Sequence, residues 1–152
     1  MFRYVFFTKG IGIHEDPLVS FELALRDAGI EFLNLVPVSS ILPPNVKIIP
    51  KEEGIKLLKP GQVAYVVLAK YTSSEEGKEI FASIGYAIPE EEHYGYFTEY
   101  YGYWEEKHKT YAGEIAKYLL ESKGIKVKEY GTIYVKAKVR KYTTVIAAAV
   151  LI

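Results

Sequence analysis

Asn34-Leu35-Val36-Pro37-Val38-Ser39-Ser40-Ile41-Leu42-Pro43-Pro44 is the stretch on which the fold and chemistry of this chain turn. Phe32 to Val38 is a short apolar run and reads as a strand. Proline cannot donate to a ladder, so Pro37 places that strand at a sheet edge or marks its end. Two serines follow, and Pro43-Pro44 then stops the chain from continuing as regular structure.

A peptide bond preceding serine can rearrange. The Ser40 hydroxyl attacks the carbonyl carbon of Ser39, provided that the backbone is held bent and the developing oxyanion is stabilised. The product is an ester. Elimination across Cα and Cβ of residue 40 breaks that ester and leaves a dehydroalanine, which hydrolyses to a pyruvoyl group and ammonia. The dipeptide alone does not specify this reaction, because Ser73-Ser74, followed by Glu75-Glu76-Gly77, reads as an ordinary loop in the same chain. The flanks must carry the assignment.

Outward from the serine pair, Phe2 to Thr8 reads as a first strand leading into a glycine-rich turn, Lys9-Gly10-Ile11-Gly12. Asp16 is placed as an N-cap and Pro17 as the first helical residue. Leu18, Phe21, Ala24, Leu25 and Ala28 recur at helical spacing before Gly29 ends the element. Beyond Pro43-Pro44, Val46 to Ile49 reads as a short strand and Lys51 to Gly61 as a polar connection. Gln62 to Tyr71 reads as a strand covered on both faces. Ile80 to Ile88 is a second such run, and its small residues Ala82, Ser83, Gly85 and Ala87 mark close approach by another backbone or a ligand. Tyr94 to Tyr103 reads as a strand, about Glu105 to Lys123 as a helix, Val127 to Val139 as an alternating strand and Thr143 to Ile152 as a buried one. About seven strands and two substantial helices, without regular alternation, predict an α+β class in which sheets pack on one another with helices outside.

Composition narrows the function classes. At 152 residues and 49% hydrophobic, the chain buries one sizeable core and reads as a single domain over 1–152. Lys+Arg and Asp+Glu are both 19, leaving no bulk positive field for nucleic acid or an anionic membrane. No apolar run reaches membrane-spanning length, and the opening segment is too short and too soon polar for a signal peptide, so the expectation is a soluble, cytoplasmic protein. The absence of cysteine removes disulfides, thiolate metal sites and a cysteine nucleophile, and His14, His93 and His108 are too scattered for a zinc site. No metal is expected. Gly10-Ile11-Gly12 lacks the third glycine of a dinucleotide fingerprint. The preference for Glu and Lys resembles proteins from hot environments.

Asn34-Leu35 together with Ser39-Ser40-Ile41-Leu42-Pro43-Pro44 resembles the processing site of the pyruvoyl-dependent arginine decarboxylases. Asp16-Pro17 before a helix ending Ala28-Gly29-Ile30, then Ala87-Ile88-Pro89, Thr98-Glu99-Tyr100 with Gly102, and Ala147-Ala148-Ala149 are similar to further parts of that family's pattern, in the same order. The resemblance implies a four-layer αββα sandwich with antiparallel-rich sheets. It also implies a precursor cleaved into residues 1–39 (a β chain) and 40–152 (an α chain), and a trimer with active sites where protomers meet. Ser40 would become the pyruvoyl group, Ser39 the new carboxyl terminus, and L-arginine would be converted to agmatine and CO2 through a Schiff base.

The same resemblance assigns three more residues. Asn34 matches an asparagine near the cleavage point, where an amide can donate to an oxyanion without titrating. Glu99 matches the proton-donating carboxylate, and its aromatic neighbours Tyr96, Phe97, Tyr100 and Tyr101 would raise its pKa. Glu22 stands where the family contacts the substrate guanidinium, but as Glu instead of the expected Asp, which lengthens the reach by one methylene. Two other readings therefore remain: the same chemistry on another amino acid, and a non-catalytic trimer that binds a small ligand. His14 reads as an exposed turn residue and His108 as part of a solvated helix face.

Overall fold

The computed structural model describes residues 1–152. In chain order the strands are β1 (Tyr4–His14), β2 (Asn34–Pro37), β3 (Ile41–Leu42), β4 (Lys47–Ile48), β5 (Val63–Ser73), β6 (Glu79–Pro89), β7 (Gly95–Tyr103), β8 (Val127–Lys138) and β9 (Tyr142–Leu151). The helices are α1 (Pro17–Ala28), α2 (Lys51–Lys56) and α3 (Tyr111–Glu121), the last preceded by a 3₁₀ turn at Glu106–Lys109.

The strands form two sheets, one in the order β2-β5-β9-β1-β4 and the other β3-β7-β6-β8. The long pairings β1–β9, β5–β9, β6–β7 and β6–β8 are all antiparallel, and only the short edge strands β2 and β4 pair in parallel. The period of two along β9 explains the layering. Val145, Ala147, Ala149 and Leu151 face the second sheet and join Ile80, Ala82, Ile84 and Phe97 in the inter-sheet core. The alternate residues Ile146, Ala148 and Val150 face outward and pack with Ala24 and Ala28 of α1. On the outer face of the second sheet Ala87 packs with Ala116 and Leu120 of α3. The result is the α+β, four-layer αββα order. No helix is long and apolar enough to cross a membrane.

Helix α1 starts and stops as its sequence reads. The Asp16 carboxylate accepts from the N–H groups of Leu18 and Val19, Pro17 opens the helix, and Gly29 closes it in the left-handed region at φ 78°. Lys9-Gly10-Ile11-Gly12 is not a turn: β1 runs through it to His14. A Cβ on Gly10 would lie 2.1 Å from the Ala24 carbonyl oxygen, and one on Gly12 2.0 Å from that of Ser20, so these glycines seat α1 on the sheet. Gly85 does the same for α3, where a Cβ would fall 2.1 Å from the carbonyl of Ala112. That agrees with the small-residue reading of β6.

Other expectations needed correction. The connection after Pro50 contains α2, whose Gly54 packs against the Phe6 ring. Residues 105–123 do not form one helix, since the 3₁₀ turn ends at Thr110 before α3 begins. The strand β5 is not covered on both faces throughout: β2 pairs with its first residues, but Val63 and Tyr65, on the face that Val67 and Ala69 turn to the inter-sheet core, are exposed.

Candidate active site

Two edge strands lie on either side of Ser39-Ser40. β2 pairs with β5 in the first sheet, with Pro37 opposite Val66, and the Val38 N–H continues the pairing by donating to the Val66 carbonyl at 2.8 Å. β3 pairs with β7 in the second sheet, with Ile41 opposite Tyr96, and the Phe97 N–H donates to the Ser40 carbonyl at 2.8 Å. Ser39 lies between these anchors and makes no backbone hydrogen bond. The Ser39–Ser40 peptide is therefore the step from one sheet to the other, with both flanks held and its own groups free. Pro37 ends β2, and Pro43-Pro44 with Asn45 in the left-handed region (φ 64°) ends β3, which keeps the step short. Both serines are exposed.

β7 brings Glu99 to this step. Antiparallel pairing puts Ser40 beside Phe97, and Glu99 is two residues further along the same strand, so the two Cα atoms are separated by roughly 8 Å. They share a face: Leu42, two residues after Ser40, and Ile84, the partner of Glu99, are both buried in the inter-sheet core. Tyr101 and Tyr103 continue that face of β7, and Tyr71 of β5 stacks on Tyr101 with 6.0 Å between ring centroids. Partial desolvation raises the Glu99 pKa above its ordinary value, and none of the four ion pairs of the fold supplies a cation to pull it down.

Asn34 is not brought to the serine pair within one chain. It opens β2, its side-chain amide donates to the Gly61 carbonyl at 2.8 Å, and five extended residues put it about 16 Å from Ser39. Glu22 lies on α1, in the outer helical layer beyond the first sheet, and pairs with Arg26 at 2.7 Å. A single protomer thus assembles Ser39, Ser40 and Glu99, and leaves Asn34 and Glu22 elsewhere.

The family model described as pyruvoyl-dependent arginine decarboxylase matches residues 4–152. This chain belongs to that family. It is 51% identical over 151 residues to pyruvoyl-dependent arginine decarboxylase 2 of Archaeoglobus fulgidus, covering 99% of this chain and 96% of the relative. Decarboxylase 1 of the same organism is 52% identical over 153 residues, covering 99% and 98%. The pyruvoyl-dependent arginine decarboxylase of Methanocella arvoryzae is 44% identical over 160 residues, covering 99% and 95%. A solved structure of pyruvoyl-dependent histidine decarboxylase at pH 8 aligns over 61% of this chain and 51% of its own, at 13% identity and a TM-score of 0.48.

Of the histidines in this family member, His14 is exposed as expected and His108 is not. His14 ends β1, and its Nδ1 accepts the Asp16 N–H at 3.0 Å. His108 is not solvated: it is buried, stacks on Phe81 at 3.8 Å, and its Nδ1 has no partner. Burial lowers its pKa, with Lys107 acting in the same direction. Sequence reasoning also passed over Tyr71, whose stacking on Tyr101 depends on the packing of two sheets and leaves no local signal.

Proposed function

We propose that this chain is a self-processing precursor, cleaved between Ser39 and Ser40 into residues 1–39 and 40–152, that decarboxylates L-arginine to agmatine and CO2. The observation that carries the reading is the Ser39–Ser40 step. The carbonyl to be attacked is free of any ladder, and the nucleophilic hydroxyl belongs to a residue anchored by Phe97. A pyruvoyl group fits here, because cutting at this step removes no strand pairing: β1 and β2 of the shorter piece stay paired with β9 and β5 of the longer one. That group, once formed, supplies a carbonyl to condense with the substrate amine and an adjoining amide to withdraw electrons as CO2 departs.

The remaining chemistry is assigned to this chain's own side chains. Glu99, whose pKa is raised by partial burial, is assigned as the acid that delivers a proton to the substrate Cα. The open edge carries Val36, Ile41, Val63 and Tyr65, all exposed in the single chain, and we read it as the surface that meets a neighbouring protomer of a trimer. Asn34 and Glu22 then enter a site from a neighbouring protomer, Asn34 toward an oxyanion and Glu22 toward the guanidinium. The enzyme is assigned to the cytoplasm, with no nucleic acid or membrane partner.

Intact mass of denatured protein tests the processing. Two pieces are expected, the larger beginning at residue 40 with a blocked amino terminus, whereas Ser40→Ala gives one chain and no CO2 release. A single uncut chain in active wild-type protein would exclude the reading. One observation favours a second reading, the same chemistry on another amino acid: Glu22 is engaged by Arg26 and exceeds the family's Asp in length. CO2 release across a panel of amino acids separates the two.

A further inference from the structure

Beyond Glu99 the inward face of β7 carries Tyr101 and Tyr103, and neither ring is closed into the core, being 57% and 48% exposed. Tyr71 braces both, stacked on Tyr101 at 6.0 Å and edge-on to Tyr103 at 6.1 Å. The Tyr103 hydroxyl donates to Glu75 at 2.6 Å, which fixes a carboxylate beside the three rings. Rings ordered by one another and held next to a negative charge form a surface suited to an organic cation.

The spacing fits the proposed substrate. Glu99 to Tyr101 is two residues of extended strand, about 7 Å. An extended arginine places its guanidinium carbon five bonds, about 6 Å, from its Cα. A substrate whose Cα lies within proton-transfer reach of Glu99, with its side chain running along β7, sets the guanidinium over Tyr101. Guanidinium is planar and weakly hydrated, and it stacks on aromatic faces.

The geometry points to Tyr101, braced by Tyr71, as a specificity-determining platform on which the substrate guanidinium stacks. This inference rests on the arginine reading above. It adds an aromatic contact from the strand of the acid itself to the carboxylate contact assigned to Glu22.

Agmatine binding, followed by calorimetry on processed protein, tests the platform without relying on turnover. Tyr101→Ala and Tyr101→Leu are expected to weaken agmatine binding about three- to thirty-fold. Tyr101→Phe keeps the ring and should restore it to within twofold. In kinetics the Ala and Leu variants should raise KM for arginine more than they lower kcat, with cleavage and molecular size as in the wild type. Agmatine affinity within twofold of wild type in both variants overturns the platform. A changed molecular size in the Leu variant also overturns it, making Tyr101 a protomer contact. Should wild-type protein neither bind agmatine nor release CO2 from arginine, the substrate reading fails. Normal wild-type behaviour with indifferent variants sinks the platform alone.

Discussion

Replacing Glu99 by Gln isolates the step assigned to it. The amide keeps the shape and a hydrogen-bond donor, but has no proton to give. Nothing in the ladder changes, because the β6–β7 register and the Phe97–Ser40 bond are backbone features. The side chain also has no ion pair to lose. Loss of a positioned general acid costs about 10²- to 10⁴-fold, equivalent to roughly 3–5 kcal/mol in the barrier. The variant is therefore expected to cleave fully at Ser39–Ser40 by intact mass, yet show kcat lowered at least 100-fold by CO2 release. The pH dependence adds a sign. Desolvation raises the Glu99 pKa, so the protonated, active form persists further toward neutral pH and is lost as pH climbs past the raised value. Wild-type kcat should carry an alkaline limb from this group, and the residual activity of Glu99→Gln should lack it. A variant that keeps more than a tenth of wild-type kcat, or one that fails to cleave, would refute the role.

Further outcomes concern the scaffold. Gly85→Ala puts a Cβ against the Ala112 carbonyl and must push α3 off β6, costing about 1–3 kcal/mol or more, measurable as a lower urea midpoint. An unchanged midpoint would mean that α3 does not rest on Gly85. For His108, burial holds the folded pKa below the unfolded value near 6.5, so the unfolded chain binds more protons. Its contribution to stability is complete above that value and is lost as pH falls toward the depressed folded one. His108→Phe should flatten this part of the stability–pH curve, and an unaltered slope would exclude the histidine as its source.

Much of the site was legible from sequence because it is local. Ser39-Ser40, the prolines on either side and the Asp16–Gly29 helix limits are set by dihedral restrictions and missing donors that act within a few residues. The alternation along β9 likewise reports which side chains face which layer, and sequence similarity over residues 4–152 carries the family. Close approach between distant segments was not legible. Gly10 and Gly12 look like a turn until α1 is seen lying on them, and His108 looks solvated until Phe81 covers it.

By itself, then, the sequence determined which family surrounds the serine pair, and it singled out Ser40 as the candidate reactive serine. It also singled out Glu99. Only the tertiary structure decided that β3 lays Ser40 beside the strand of Glu99, while Asn34 and Glu22 fall outside that reach. The reason is physical: a strand carries the chain about 3.3 Å per residue, so neighbours in sequence separate quickly, whereas sheet pairing joins residues 40 and 97 at about 5 Å.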